Sequence, residues 1–240
     1  MCRLFAVIGS DIPARDFLMA FRSLARSGRT MPVPDATPGH DHGWGIVALG
    51  SSGMKKAYGV GDATSDAEFE KFADSLGDRF DGVLMAHLRK ATGFKHSIDN
   101  CHPFVGSGSV FMHNGGVVKL YEPDRSDTRV WFEDIISKLD GPVDDVLKKS
   151  IDQVKEISDY SSLTSVLSSE DGLCAVREFK DDRFKDYFTL FFARMASFVV
   201  ISQEKEFLGD SVDGWVEVEN HQMVKVGKDL QVELDWISGR

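Results

Sequence analysis

The sequence predicts an α+β layered domain built on a substantial, largely antiparallel sheet. Strand-like segments lie at both ends of the chain, and a pair of helical segments lies between them. The start, Met1 to Ile8, is read as a buried strand beginning at the very first residues, although chain ends tend to fray. A helix is expected from Pro13 to Arg26, where Phe17, Leu18, Phe21 and Leu24 recur at helical spacing. The Gly-, Pro- and Asp-rich stretch from Ser27 to His42 reads as a loop. Gly45 to Leu49 follows as a strand, ended by Gly50-Ser51-Ser52-Gly53. Ser65-Asp66-Ala67-Glu68 has the form of a capping box opening a helix to about Leu76. Strands are expected at Gly82–Leu88 and Ser109–His113, then helices over Thr128–Leu139 and Pro142–Ile157, with Pro142 in a favoured first-turn position. The last third returns to strands: Leu173–Phe179, Phe188–Phe192, Ser197–Ser202, Trp215–Val218, Gln222–Val226 and Leu230–Trp236.

Composition narrows the function classes. The chain has 240 residues, enough for one large domain or two small ones. It is 42% hydrophobic and 28% charged, as in ordinary globular proteins. A net charge of −10 argues against non-specific nucleic-acid or anionic-membrane binding. No apolar run is long enough to span a bilayer, which takes roughly 20 residues. The apolar start is too short and wrongly flanked for a signal peptide. Cys2, Cys101 and Cys174 form an odd set without disulfide-framework spacing, so reduced thiols in a cytoplasm are expected.

The chemistry starts at Cys2. Removal of Met1 would make this thiol the N-terminal residue, and its small side chain permits that removal. The freed α-amine, with a pKa of about 7.7–8.0, can act as general base for its own side chain. The plainer reading is a small buried hydrophobe in a strand. Three further segments bear on the choice: Ala86 to Gly93, Asn100 to Phe104, and Met112 to Gly116. Each lies where a strand meets a Gly- or Pro-containing loop, a common place for site residues. Arg89 can grip a carboxylate with its bidentate fork. The Asn114 amide and the Gly115 backbone N–H can make a two-donor oxyanion hole. Singly, these residues have bland readings: a surface ion pair for Arg89, a loop histidine for His102, a hairpin turn for Asn114-Gly115. The ordered combination with Cys2 is the specific signal.

That combination resembles the class II glutamine amidotransferases. The motifs are Cys2, Gly43-Trp44-Gly45, His87-Leu88-Arg89, Cys101-His102-Pro103, His113-Asn114-Gly115 and Ser126-Asp127-Thr128. It is most similar to the stand-alone subgroup related to bacterial ergothioneine-pathway amidohydrolases and fungal glutathione-degrading amidotransferase-like proteins. Val199 to Gln203, with Trp215 beyond, also looks like that subgroup's second half. The resemblance implies the four-layer αββα sandwich of N-terminal-nucleophile hydrolases, as a single domain over residues 2–240. It implies a cysteine amidohydrolase acting on glutamine or a γ-glutamyl compound, without cofactor or metal. By this analogy Cys2 attacks the side-chain amide, and Asn114 and Gly115 stabilise the oxyanion. Arg89 holds the substrate α-carboxylate and Asp127 the α-ammonium. His102 supports the pocket, and Trp44 and Gly45 shape the loop beneath the nucleophile. Lys90 and Gly93 depart from the Trp and His of synthase-linked members, and Thr128-Arg129 replaces an acid often found after the Ser or Thr. These departures put glutamine itself in question as the substrate. Asp127 also suits the N-cap of the Thr128 helix.

Three rivals stand beside this reading. His87, His96, Cys101, His102 and His113 fall close together, but without short metal-ligand spacing. A papain-like hydrolase would use Cys101 or Cys174, and neither has a recognisable setting. The scaffold could also serve as a binding or regulatory subunit. Ammonia is either released by a free-standing hydrolase, the preferred reading, or passed to a separate synthase chain.

Overall fold

The computed structural model describes residues 2–33, 37–91, 96–120, 122 and 125–237. Met1 and Gly93, both named above, lie outside the described residues. Among the described residues the strands are β1 (Arg3–Ile12), β2 (Gly43–Gly50), β3 (Gly53–Gly59), β4 (Phe80–Arg89), β5 (Phe104–Gly106), β6 (Ser109–Val117) and β7 (Tyr160–Ser169). They continue as β8 (Gly172–Arg177), β9 (Phe191–Arg194), β10 (Phe198–Ser202), β11 (Val216–Glu217), β12 (Gln222–Gly227) and β13 (Val232–Trp236). One sheet runs β11-β9-β10-β1-β4-β2-β3, the other β13-β12-β8-β7-β6-β5, and the pairings are antiparallel.

Helices cover both outer faces. Helices α1 (Ala14–Arg22), α2 (Leu24–Ser27) and α3 (Ala67–Asp74) pack on the first sheet; α4 (Asp127–Ser137) and α5 (Val143–Ile157) pack on the second. The result is the expected αββα sandwich. Strand β1 explains why the chain start is apolar throughout: it is central in its sheet and buried on both faces. Phe5 and Val7 face the helices, while Leu4, Ala6 and Ile8 join Val47 and Met85 against Val110, Met112, Val166 and Val224 of the second sheet. On the far side, Phe111 meets Trp131 edge-on at 5.2 Å, and Trp131 Nε1 donates to Ser150 Oγ at 2.7 Å, tying α4 to α5.

Several local expectations need correction. The helix expected from Pro13 to Arg26 divides at Ser23. The Ser23 hydroxyl donates to the Ala20 carbonyl at 2.7 Å, and such a bond competes with the helical ladder. The N-cap of α3 is Asp66, not Ser65: its carboxylate accepts from Glu68 N at 3.0 Å, satisfying a first-turn donor. Pro142 stands at the N-cap of α5 rather than inside its first turn. Ser126 caps α4 by accepting from Arg129 N at 3.2 Å, so Asp127 is the first helical residue rather than the cap. Asn114-Gly115 is not a turn, because β6 runs on to Val117. Strands β3, β5 and β7 were not expected. The first is an exposed, lysine-bearing edge, the second is very short, and the third is rich in Ser and Thr.

The aromatic cluster behind the nucleophile strand generates a stability prediction. Phe5 is fully buried and its ring lies 5.4 Å from Phe21, 5.6 Å from Phe207 and 6.0 Å from Phe17. Phe5→Ala is expected to cost about 3–5 kcal/mol, the range for emptying an aromatic core position. Denaturant unfolding of the two proteins measures it.

Candidate active site

A cleft of about 650 Å³ opens where the start of β1, the end of β4, the end of β6 and the start of α4 converge. Cys2, Arg89, His102, Gly115 and Asp127 all line it, so the structure gathers these sequence-predicted residues around one space. Cys2 is 9% exposed, and its backbone nitrogen donates to Asn114 Oδ1 at 2.8 Å. Asn114 is fully buried beneath the cleft, with Nδ2 donating to Gln203 Oε1 at 3.0 Å. A bond thus runs from the first sheet to the second at Cys2.

The residue after Cys2 is a buried arginine. Arg3 Nη1 donates to the Cys2 carbonyl at 2.9 Å, and Nε pairs with Glu204. Nη2 donates to the Arg29 carbonyl, while Glu204 also accepts from Arg29 N at 2.7 Å. The guanidinium lies 4.4 Å from the Tyr187 ring centroid, within cation–π range. Residues 29, 187 and 204 are thereby drawn to the start of β1. Sequence reading missed Arg3, Gln203 and Glu204 as parts of the site, because their partners are remote in the chain. The one available signal was a charged residue inside an otherwise apolar strand.

Asp127 is held by two backbone donors. Its Oδ2 accepts from Val117 N at 2.7 Å and its Oδ1 from Thr128 N at 2.9 Å. The first of these exists because the β6–β7 register shifts between Gly115 and Val117, which frees the Val117 N–H from the ladder. Gly115 is required by close approach, since a Cβ there would collide with the Ser162 carbonyl.

Three buried histidines gather beside this wall. The His87 and His102 rings are 4.2 Å apart, and His113 N donates to His102 Nδ1 at 3.5 Å. Burial holds His87 and His102 well below the ordinary imidazole range, so both are neutral at pH 7. Burial lowers His113 as well, against the pull of Asp127. His113 Nε2 lies 2.8 Å from the Ser162 carbonyl, which only accepts, so the proton belongs there. Its Nδ1 then accepts from Thr128 Oγ1 at 2.9 Å.

Other predicted residues lie elsewhere. Trp44 and Gly45 are in strand β2, not in a loop beneath Cys2. Trp44 packs in the helix-side core against Phe69 and donates to Asp66 Oδ2 at 2.9 Å. Gly45 lets the Cys101–Pro103 segment pass, since a Cβ there would collide with the His102 carbonyl. Lys90 lines the cleft and bonds Thr37 Oγ1 at 2.8 Å and Asp41 Oδ1 at 3.2 Å. Cys101 and Cys174 are buried free thiols that burial pushes up to about 11 and about 12, which removes support for either as a nucleophile. Among the described residues no His, Cys, Asp or Glu group is arranged to hold a metal ion, and no helix is long and apolar enough to cross a membrane.

Comparisons with known proteins bear on the fold and the family. Among proteins with curated functions, none matches the chain. A glutamine phosphoribosylpyrophosphate amidotransferase from B. subtilis shares the fold at 16% identity and a TM-score of 0.71. A structure described as the allosteric regulatory enzyme of purine biosynthesis does so at 17% and 0.73. Both alignments cover 100% of this chain and 50% of the other, so the chain spans half the length of these relatives. A glutamine aminotransferase class-II domain protein from Silicibacter pomeroyi aligns over 99% of this chain and 100% of its own, at 16% identity and a TM-score of 0.66. The family model of the class-II glutamine amidotransferases matches residues 1–184, and the chain, an enzyme of the amidotransferase type, belongs to that family.

Proposed function

We propose that this protein is a cysteine amidohydrolase that cleaves the side-chain amide of glutamine or of a γ-glutamyl compound through a glutamyl thioester on Cys2. The observation that carries the proposal is the 2.8 Å bond from the Cys2 nitrogen to Asn114 Oδ1, made at the floor of a cleft that Arg89 and Asp127 also line. Removal of Met1 turns that nitrogen into an amine. One N–H held by Asn114 fixes rotation about the N–Cα bond and so orients the nitrogen lone pair. The amine takes the thiol proton as sulfur attacks the amide carbon. The oxyanion then draws on the second Asn114 Nδ2 hydrogen and the Gly115 N–H. Collapse breaks the C–N bond, and the departing nitrogen leaves with the proton. Water attacks the thioester, giving the γ-carboxylate and restoring the thiol. Arg89 grips the α-carboxylate and Asp127 the α-ammonium, while His102 backs the pocket wall. The free thiols suit a cytoplasmic protein.

The cleft supports a substrate larger than glutamine. Its volume is about 650 Å³. Pockets for drug-sized ligands typically measure roughly 300–1,000 Å³. A neighbouring hollow shares Asp159, Tyr160 and Ser161 with it. Tyr160 is braced from behind, its hydroxyl donating to the fully buried Glu178 at 2.8 Å.

Three measurements test the proposal. Intact-mass analysis of active protein should show Cys at the N-terminus and a single adduct on Cys2 after treatment with diazo-oxonorleucine; full activity with Met1 attached would overturn the nucleophile assignment. Asn114→Ala should lower kcat on the order of 10²–10³-fold with KM nearly unchanged, whereas an effect on KM alone would remove the oxyanion role. Arg89→Ala should chiefly raise KM, with poor rescue by Arg89→Lys because a point charge cannot replace the bidentate fork. In the same assays some γ-glutamyl conjugate should show a higher kcat/KM than glutamine. A clear preference for glutamine, with ammonia delivered to a co-purifying synthase chain, would restore the subunit reading.

A further inference from the structure

Asn114 is asked to do two things with one amide group, and its orientation decides whether it can. The Cys2 nitrogen donates to Asn114 Oδ1 in the structure, and a free amine keeps a hydrogen to donate there while its lone pair faces the thiol. That fixes Oδ1 toward Cys2 and turns Nδ2 away. Nδ2 then meets Gln203, whose Oε1 accepts at 3.0 Å. Gln203 follows β10, with its backbone N donating to the Leu4 carbonyl at 3.2 Å and its carbonyl accepting from Thr189 Oγ1 at 2.5 Å. The acceptor is therefore anchored beside the nucleophile strand itself. Its own Nε2 is fully buried and has no hydrogen-bond partner among the described residues. An unpaired buried donor of this kind is destabilising, and the fold tolerates it while keeping the acceptor on the other side of the same amide.

We infer that Gln203 is a positioning residue for the reaction: its Oε1 locks the Asn114 side chain with Oδ1 on the Cys2 amine and leaves the second Nδ2 hydrogen for the oxyanion. The inference rests on the Cys2 hydrolase reading and adds to it a residue that never touches substrate. Loss of the acceptor frees the Asn114 amide to rotate, which misplaces the amine and the oxyanion donor together. Stability, by contrast, should change little, because the unpaired Nε2 disappears with the side chain and offsets the acceptor that Asn114 Nδ2 loses. That contrast separates Gln203 from a purely structural role.

The test compares Gln203→Met, close in volume but without an acceptor, with Gln203→Glu, which keeps an oxygen in place and has no amide donor. Gln203→Met should lower kcat by about 10- to 100-fold, with KM within about threefold and little change in Tm. Gln203→Glu should recover most of that loss. On an Asn114→Ala background, Gln203→Met should cost almost nothing further, because the lock has lost the part it holds. Equal losses in the Met and Glu variants, an effect on KM alone, or additive losses in the double variant would overturn the inference. The crystal structure of Gln203→Met gives a readout independent of turnover. Asn114 rotated off the Cys2 nitrogen supports the lock, and Asn114 unmoved refutes it. Wild-type protein that neither turns over substrate nor reacts at Cys2 would refute the hydrolase reading instead.

Discussion

The hydrogen bond between the Cys2 nitrogen and Asn114 Oδ1 joins two sheets whose facing surfaces are largely apolar. Sheets packed face to face stand about 10 Å apart, so a backbone group in one reaches the other only through a side chain that crosses the gap. Leu4, Ala6 and Ile8 on one side and Val110, Met112 and Val166 on the other set that gap along β1 and β6. At the Cys2 end the filling turns polar, with His87 following Met85 on β4 and Asn114 following Met112 on β6. Strand pairing fixes the position of Cys2 along the sheet, since Arg3 is opposite Leu88 on β4 and Phe5 is opposite Ser202 on β10. Cys2 is therefore placed by a core far larger than the site.

For the proposed Cys2 chemistry, the electrostatics favour an amine over an imidazole as base. A histidine that activates a thiol must titrate near neutrality and have a ring nitrogen to spare. Burial keeps His87 and His102 neutral, and both His113 nitrogens are engaged by Thr128 and Ser162. The strongly organised charge beside Cys2 is instead the buried Arg3–Glu204 pair, which grips the Cys2 carbonyl. Removing one member would strand the other in the interior, the costly way to break such a pair. Its role is to hold the chain end still rather than to move a proton.

The elements legible in the sequence were those whose own residues report their surroundings. Strand β1, buried on both faces, is a continuous apolar run, and α5 repeats its apolar positions at helical spacing. Strand β7 was hidden because Ser162, Thr164, Ser165 and Ser168 are buried polar residues, some of them satisfied by local bonds such as Ser162 Oγ to the Glu178 carbonyl at 2.8 Å. Strand β3 was hidden because an edge strand with Lys55 and Lys56 shows no apolar face, a usual protection against edge pairing. In the site, Cys2, Arg89, Gly115 and Asp127 were readable from ordered motifs. Gln203 and Glu204 were not, because they meet Asn114 and Arg3 only once the sheets have formed. Trp44 was misplaced for another reason: β2 alternates faces, and adjacent residues of one motif serve opposite sides of the sheet.

The pair Gly115-Gly116 shows how a few backbone details couple fold to chemistry. In isolation the two glycines after Asn114 suggest a turn, and the structure uses them for two different ends. At Gly115 the neighbouring strand comes too close for any side chain. At Gly116 the register slips, and the ladder gives up the Val117 N–H. That donor would be left unsatisfied in a buried strand, and Asp127 at the start of α4 takes it. The same slip thus anchors the carboxylate proposed to read the substrate ammonium. Gly116 also keeps the cleft open beside it: a Cβ there would stand 3.8 Å from Asp127 Oδ2 and 3.7 Å from Ser161 Oγ, between two oxygens facing one space. An ammonium group fits the chemistry of that space, whereas any larger residue at position 116 would occupy it.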